Sequence, residues 1–263
     1  MLEGDKKKRS RVRFYRLAVI GFALMVGIAS NANIVLAQEL SEDEKEVVMI
    51  QYTLKYRFDK DLKIGDWVKY QWTQEGGEPQ EHEIRVTEKE KGGVWIVEKF
   101  EDGEIHLLVD LKSMNLLKGF GFDEEGERHE ASPLSDKELS EAVEMMQKEM
   151  EQQMKDYPIS GWKKGTKKEE VEVLAGSFTC SYLEPEYSEK HIKAMQDYGM
   201  SPEKIKETMK EMRLYFSEDV PRLLPVQIAG GWAPFIEAFQ EIKGGLVESP
   251  QMGLELTAYS GQK

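Results

Sequence analysis

The sequence has very few of the residues from which disulfides, zinc sites and common catalytic motifs are built. Among its 263 residues are one cysteine, Cys180, and four histidines, none of them at the short spacings of a histidine zinc site. It has no GxSxG, Walker, helix-opening GxGxxG or CxxC motif. With a single cysteine the chain forms no internal disulfide, so its fold depends on packing alone. These absences predict a non-enzymatic protein without a metal site or cofactor.

The first 37 residues have the three parts of a secretory signal peptide. Seven basic residues precede the apolar run 17–29, and candidate cleavage sites follow at Ser30-Asn31-Ala32 and before Gln38. A retained membrane anchor is the alternative, but as a helix that run extends only about 20 Å, and the hydrocarbon core is about 30 Å thick. No cysteine follows either site, so a lipid anchor is not indicated. We expect a signal peptide at 1–37 and an exported domain at 38–263 with no membrane span, in the periplasm or, alternatively, secreted.

The predicted exported domain is strongly acidic. Of the 36 Lys and Arg and the 49 Asp and Glu in the chain, seven basic and two acidic residues lie in 1–37, which leaves 29 against 47 and a formal net charge of −18. Such a surface repels the phosphates of nucleic acids and of anionic lipids. Nucleic-acid binding is therefore excluded, while solvated surface charge by itself names no ligand.

Most of the exported domain is predicted to be an antiparallel β-sheet. Short segments with alternating apolar residues are separated by glycine-bearing turns; they lie at 66–72, 83–87, 94–100, 105–111, 114–122, 170–174, 177–183, 214–216 and 253–259. Cys180 falls on the apolar side of one of them, as a small core residue. Helical spacing is present within 38–63 and in two insertions at about 135–157 and 188–213, and an aromatic insertion occupies 222–243. The fold class expected is α+β, in a single domain.

Five short motifs occur in a fixed order: IGDWVKY at 64–70, LAGSFTC at 174–180, FSEDVP at 216–221, GLVE at 245–248 and LELTAY at 254–259. This order resembles bacterial exported proteins whose second half runs AGTF-x-C, S-x-x-VP, GLV and LEL-x-x-Y. Their fold is similar to the lipoprotein-carrier (LolA/LolB-like) type. The resemblance implies a curved antiparallel sheet, an incomplete barrel wrapped around helices, and a carrier role. Its motifs are structural turns, so it implies no catalytic residues, and the 222–243 insertion departs from its pattern.

Methionine is the one residue type with an unusual distribution, since eight of the 13 lie between Met145 and Met212. Three interpretations stay open: gap filling where helices cover the sheet, a flexible groove for an apolar ligand, and a thioether site for Cu(I). No histidine or cysteine pattern supports copper. The groove hypothesis places its ligand between methionine-rich helices and the sheet; its residues are Met146, Met150, Met154, Met209, Met212, Trp67 and Trp95.

The leading functional hypothesis is a periplasmic binding protein or carrier for a hydrophobic small molecule, a lipid or a lipoprotein. The alternative is a structural or protein-interaction module of the envelope, which would dock a partner through Trp232, Phe235 and Phe239. A Cu(I)-binding protein and an enzyme rank below these two. The hypotheses are separated by whether the space between sheet and helices is an apolar cavity or a packed core.

Overall fold

A computed structural model describes residues 42–73, 77–101, 103–122, 125–154, 159–225 and 238–261. Within these ranges the protein is α+β, with four α-helices and one large antiparallel sheet of 12 strands. The predicted signal peptide and two of the proposed docking residues, Trp232 and Phe235, lie outside the described residues. In the part of the chain that is described, no helix combines the length and hydrophobicity that crossing a membrane requires.

The helices lie close to the positions expected from the sequence. They are α1 (Glu42–Arg57), α2 (Asp136–Met154), α3 (Glu189–Asp197) and α4 (Pro202–Glu211). The strands are β1 (Trp67–Trp72), β2 (Gln80–Glu90), β3 (Gly93–Phe100), β4 (Gly103–Asp110), β5 (Asn115–Phe122), β6 (Arg128–Ala131), β7 (Ile159–Lys164), β8 (Glu169–Val173), β9 (Gly176–Tyr187), β10 (Leu214–Ser217), β11 (Gly245–Ser249) and β12 (Leu254–Tyr259).

The sheet is open and curved, and its strand order is β6-β5-β4-β3-β2-β1-β12-β11-β10-β9-β7, with β8 paired to β9. Strands β1 to β6 are consecutive neighbours, which confirms the predicted antiparallel meander. The last strand, β12, pairs with the first, so that Tyr70 lies opposite Leu256 and the two halves of the chain share one sheet. The turn between β8 and β9 also reaches β12, where the Ala175 amide donates to the Leu256 carbonyl at 3.1 Å.

Helix α1 covers one face of the sheet, which we call the inner face. Ile50 and Leu54 of the helix, and Phe58 directly after it, belong to the same buried cluster as the inward side chains of the strands. The helix is buried on nearly all sides, so its polar groups need internal partners. The Gln51 amide supplies one such pair, since it donates to the Leu134 carbonyl at 3.2 Å and accepts from the Leu134 amide at 2.7 Å. That pair fixes the chain just before α2, which packs on α1.

The predicted core position of Cys180 is confirmed. The residue lies in β9 and is completely buried. Burial, aided by the negative charges of Glu170, Glu248 and Asp219, raises the pKa of the thiol to about 12. The side chain is therefore a protonated, unreactive core residue at neutral pH.

The turn before β11 requires glycine at Gly244. Its φ is +81°, a conformation that other residues rarely adopt, and a Cβ there would overlap the Ser217 carbonyl. This close approach brings the start of β11 against the end of β10, and it explains the Gly244-Gly245 pair in the sequence.

Two carboxylates face each other across β11 and β12, where Glu248 pairs with Glu255. Burial raises the pKa of Glu248, and the negative charge of Glu255 adds to the shift. Because its pKa is higher in the folded state, this carboxyl favours folding at low pH, and the benefit is lost as pH rises from its usual 4.5 through the folded value.

Replacing Glu248 by glutamine should therefore stabilise the protein at pH 7, by a few tenths to about 1 kcal/mol, the range for one like-charge cross-strand pair. Thermal unfolding at pH 7 and pH 4 checks this, with the exposed Glu172→Gln as control. The gain should shrink at pH 4; a lower Tm at pH 7 or a gain independent of pH would contradict it.

Candidate functional site

The inner face contains a buried group of three ionisable side chains, Arg57 of α1, His82 of β2 and Glu98 of β3. Their side chains are 0%, 5% and 1% exposed, respectively. Arg57 Nη2 donates a short hydrogen bond to Glu98 Oε2, and Arg57 Nε donates to the Leu224 carbonyl at 2.9 Å. Buried ionisable groups at this density are uncommon outside functional sites, although structural ion pairs also occur.

Two nitrogen atoms of this group, one on His82 and one on Arg57, have no hydrogen-bond partner among the described residues. His82 Nε2 lies 2.9 Å from Glu98 Oε1 but is not aligned for a hydrogen bond, and the ring packs against Phe100 with centroids 4.5 Å apart. Arg57 Nη1 is buried and has no hydrogen-bond partner among the described residues. A buried donor without a partner is costly, so this guanidinium retains capacity for one more acceptor.

Cross-strand register connects Glu98 to an apolar part of the inner face. Glu98 lies opposite Ile105 on β4, Ile105 opposite Gly121 on β5, and Gly121 opposite His129 on β6. The next row along the strands runs from Leu107 through Gly119 to Ala131. The inner face therefore changes, within a few strands, from a buried charge to large aliphatic side chains and then to glycine, with His129 and Ala131 at its edge.

An apolar recess lies where those small residues face α1. It is lined by Val47 and Ile50 of α1, Ile105 and Leu107 of β4 and Leu116 of β5, and Gly121, His129 and Ala131 complete its wall. The cavity volume is about 20 Å³. That is room for about one water molecule, so an apolar chain would enter only if a wall of the recess moved.

The groove residues whose side chains the structure describes, Trp67, Trp95, Met209 and Met212, are not brought together around one site. Trp67 and Trp95 alternate with Val68 and Ile96, which are core residues, and so lie on the outer face, away from α1. Trp95 packs there against Phe120, with ring centroids 5.4 Å apart, and donates to Glu90. These two tryptophans cannot contact a ligand held between α1 and the sheet.

The five methionines divide between two places. Met146, Met150 and Met154 belong to α2, the helix that packs on α1; their side chains lie outside the described part of the structure. Met209 and Met212 are half-buried at the end of α4, where Met212 accepts a hydrogen bond from the Tyr187 hydroxyl.

Phe239, the described member of the proposed docking set, is a core residue. It is 2% exposed and meets Phe216 edge to face at 5.7 Å. Beside it the buried Arg222 donates to three backbone carbonyls, those of Tyr56, Phe239 and Ile242, at 2.8, 2.9 and 2.6 Å. Arg222 thereby joins the end of α1 to the segment before β11, and the Phe239 side chain is not free to dock a partner.

No three histidine, cysteine or carboxylate side chains in the described ranges are grouped so that they could hold a metal ion. Comparison of the chain with protein-family models, curated proteins and solved structures found no match. The chemistry of the site therefore follows from its own geometry: a pair of opposite charges with a free donor, beside an apolar recess.

Proposed function

We propose that the protein is an exported, non-enzymatic binding protein or carrier that holds an apolar chain in the recess beneath α1. The observation that carries the proposal is the composition of the inner face at β5 and β6. There Gly119, Gly121 and Ala131 stand at positions where the other strands place large core side chains. Glycine inside a strand often marks a point where another group approaches closely.

The walls of the recess differ in how firmly they are held. Helix α1 is fixed by the buried Arg57 and by the Arg222 contact to its last turn. Strand β6 is four residues long and pairs with β5 at the end of the sheet. We infer that β6 moves to admit a ligand while α1 and the central strands stay in place.

The methionine-rich helix α2, which packs on α1, is suited to contact the ligand once the recess has widened. Methionine adapts to varied apolar partners, and Met146, Met150 and Met154 recur at the spacing of one helix face. In this proposal α2 contributes those side chains to the widened site. The open sheet around α1 supports the finer proposal of an incomplete barrel of the lipoprotein-carrier type, and the signal peptide predicted at 1–37 supports the proposal of a periplasmic location.

Burial of the chain supplies the binding energy. Each methylene removed from water contributes about 0.8 kcal/mol, so an eight-carbon chain supplies about 6 kcal/mol before the cost of opening the recess. Binding should therefore be of moderate affinity and should depend steeply on chain length.

Filling the recess should abolish this binding. In Ala131→Leu the added side chain would compete with the ligand for the recess, and it stands on the half-buried edge strand β6, the wall that we infer to move. We expect the affinity for the neutral probe N-phenyl-1-naphthylamine, followed by its fluorescence, to fall at least about tenfold, the equivalent of about 1.4 kcal/mol.

The matched control is Lys118→Leu, which adds the same side chain at an exposed position of β5 that pairs with Leu108 on the outer face. It should leave the affinity for the probe unchanged. If both variants bind like the wild type, or if the wild type does not bind the probe, the recess is not the site.

A further inference from the structure

We infer that the ligand of the recess has an uncharged hydrogen-bond acceptor at its polar end, such as an alcohol or a carbonyl oxygen, and that Arg57 Nη1 donates to it. This inference rests on the proposed function and adds the chemical class of the ligand. Its basis is the buried donor of Arg57 that lacks a partner among the described residues.

The polar group and the recess are close on both elements that build them. On the sheet, Glu98 and Ile105 are directly opposed on adjacent strands, which places their Cβ atoms about 5 Å apart. On α1, Ile50 and Arg57 are two turns apart on one side of the helix, about 10 Å along its axis. A chain seated against Ile50 and Ile105 would therefore direct one end toward Arg57.

The charges of Arg57 and Glu98 determine which kind of ligand acceptor fits beside them. Arg57 and Glu98 form a neutral pair, and both are almost completely buried. A carboxylate or phosphate would add an unbalanced negative charge beside Glu98, in a domain that is already strongly acidic. An ammonium group would meet Arg57 as a like charge and has no acceptor to offer. An alcohol, ester or amide oxygen satisfies Nη1 without changing the net charge.

The test compares octane with 1-octanol, which share one chain and differ in the acceptor. Displacement of N-phenyl-1-naphthylamine gives both affinities, in the wild type and in the double variant Arg57→Met/Glu98→Leu. That variant replaces the ion pair with apolar side chains of similar size, a change that buried pairs often tolerate. We expect the affinity for 1-octanol to fall about tenfold or more in the variant, as for loss of one hydrogen bond from a charged donor, and the affinity for octane not to fall.

Octanoate and octylammonium complete the series in the wild type, where both should bind more weakly than 1-octanol. An unchanged ratio of the octanol and octane affinities between wild type and variant would overturn the inference and leave the proposed function standing. Failure of every probe to bind would instead overturn the proposed function.

A second measurement does not depend on the variant. A crystal structure of the wild-type protein with 1-octanol should place the hydroxyl oxygen within about 3.2 Å of Arg57 Nη1, the length of a hydrogen bond. An octanol chain in the recess with its hydroxyl directed to solvent would overturn the inference.

Discussion

Replacing Glu98 alone by leucine should lower the free energy of unfolding by about 3–5 kcal/mol, the usual cost of breaking a buried ion pair. The reason is that the Arg57 side chain is fully buried and would keep its charge with no counterion. Urea unfolding followed by circular dichroism measures the loss.

Two controls separate the buried charge from the change in side-chain shape. The double variant Arg57→Met/Glu98→Leu removes both charges and should be more stable than Glu98→Leu, with part of the loss remaining because the Leu224 carbonyl also loses its Arg57 donor. Glu104→Leu removes a partly exposed carboxylate on the outer face, which pairs with Lys99 and His106, and should cost less than about 1 kcal/mol. A double variant no more stable than Glu98→Leu would contradict the account of the pair.

Replacing Arg222 by methionine should cost about 3 kcal/mol or more. The Arg222 guanidinium donates hydrogen bonds to the carbonyls of Tyr56, Phe239 and Ile242. Each buried carbonyl that loses its donor costs about 1–3 kcal/mol. We expect the surrounding backbone to relax and recover part of that cost. Methionine keeps much of the aliphatic volume, so the loss reports on hydrogen bonding. Burial raises the pKa of Asp59, and the positive charge of Arg222 offsets part of that rise.

The comparison for Arg222 is Arg85→Met on the outer face. Arg85 is half-exposed and pairs with Glu83, so its loss should cost less than about 1 kcal/mol. Chemical unfolding of both variants under the same conditions measures the difference. Equal stabilities would show that the three carbonyl contacts do not hold α1 to the segment before β11.

Much of the sheet could be predicted because its strands alternate. The turn glycines and the apolar residues at every second position define β1 to β5, and a capping box at Ser135 and Glu138 marks the start of α2, where both hydrogen bonds are present. The sequence does not predict β6, β7 or β11. Strands β6 and β7 are short and mostly polar, and tertiary pairing with β5 and β9 decides their conformation, while the five-residue β11 is fixed by its pairing with β10 and β12.

The candidate site could have been found in part by following the same alternation. Glu98 is two residues from Ile96, and His82 is two residues from Ile84. Side chains two residues apart in a strand lie on the same face, so both occupy positions that face the core. Arg57 follows Ile50 and Leu54 at helical spacing, again toward the interior. A charged residue at a core-facing position of a helix or strand indicates a buried polar site. Which residue is its partner depends on the order of the strands, and local sequence does not determine that order.

The same alternation shows that Trp67 and Trp95 do not belong to the predicted groove. Both alternate with core residues, so they lie on the outer face whatever the order of the strands. The recess itself was not predictable, because Gly119 and Gly121 lie inside the predicted strand 114–122 and only the pairing with β6, which was not predicted, shows what lies beside them.

The central claim, that an apolar chain binds beneath α1, is tested most directly by photo-crosslinking. The wild-type protein is irradiated with an alkyl alcohol that carries a diazirine in its chain, and the adducts are located by mass spectrometry. We predict adducts on Val47 and Ile50 of α1 and on Ile105, Leu107 and Leu116 of β4 and β5, reduced by excess 1-octanol and in Ala131→Leu. Adducts confined to the outer-face aromatic residues Trp95 and Phe122, or no saturable adduct, would contradict the account.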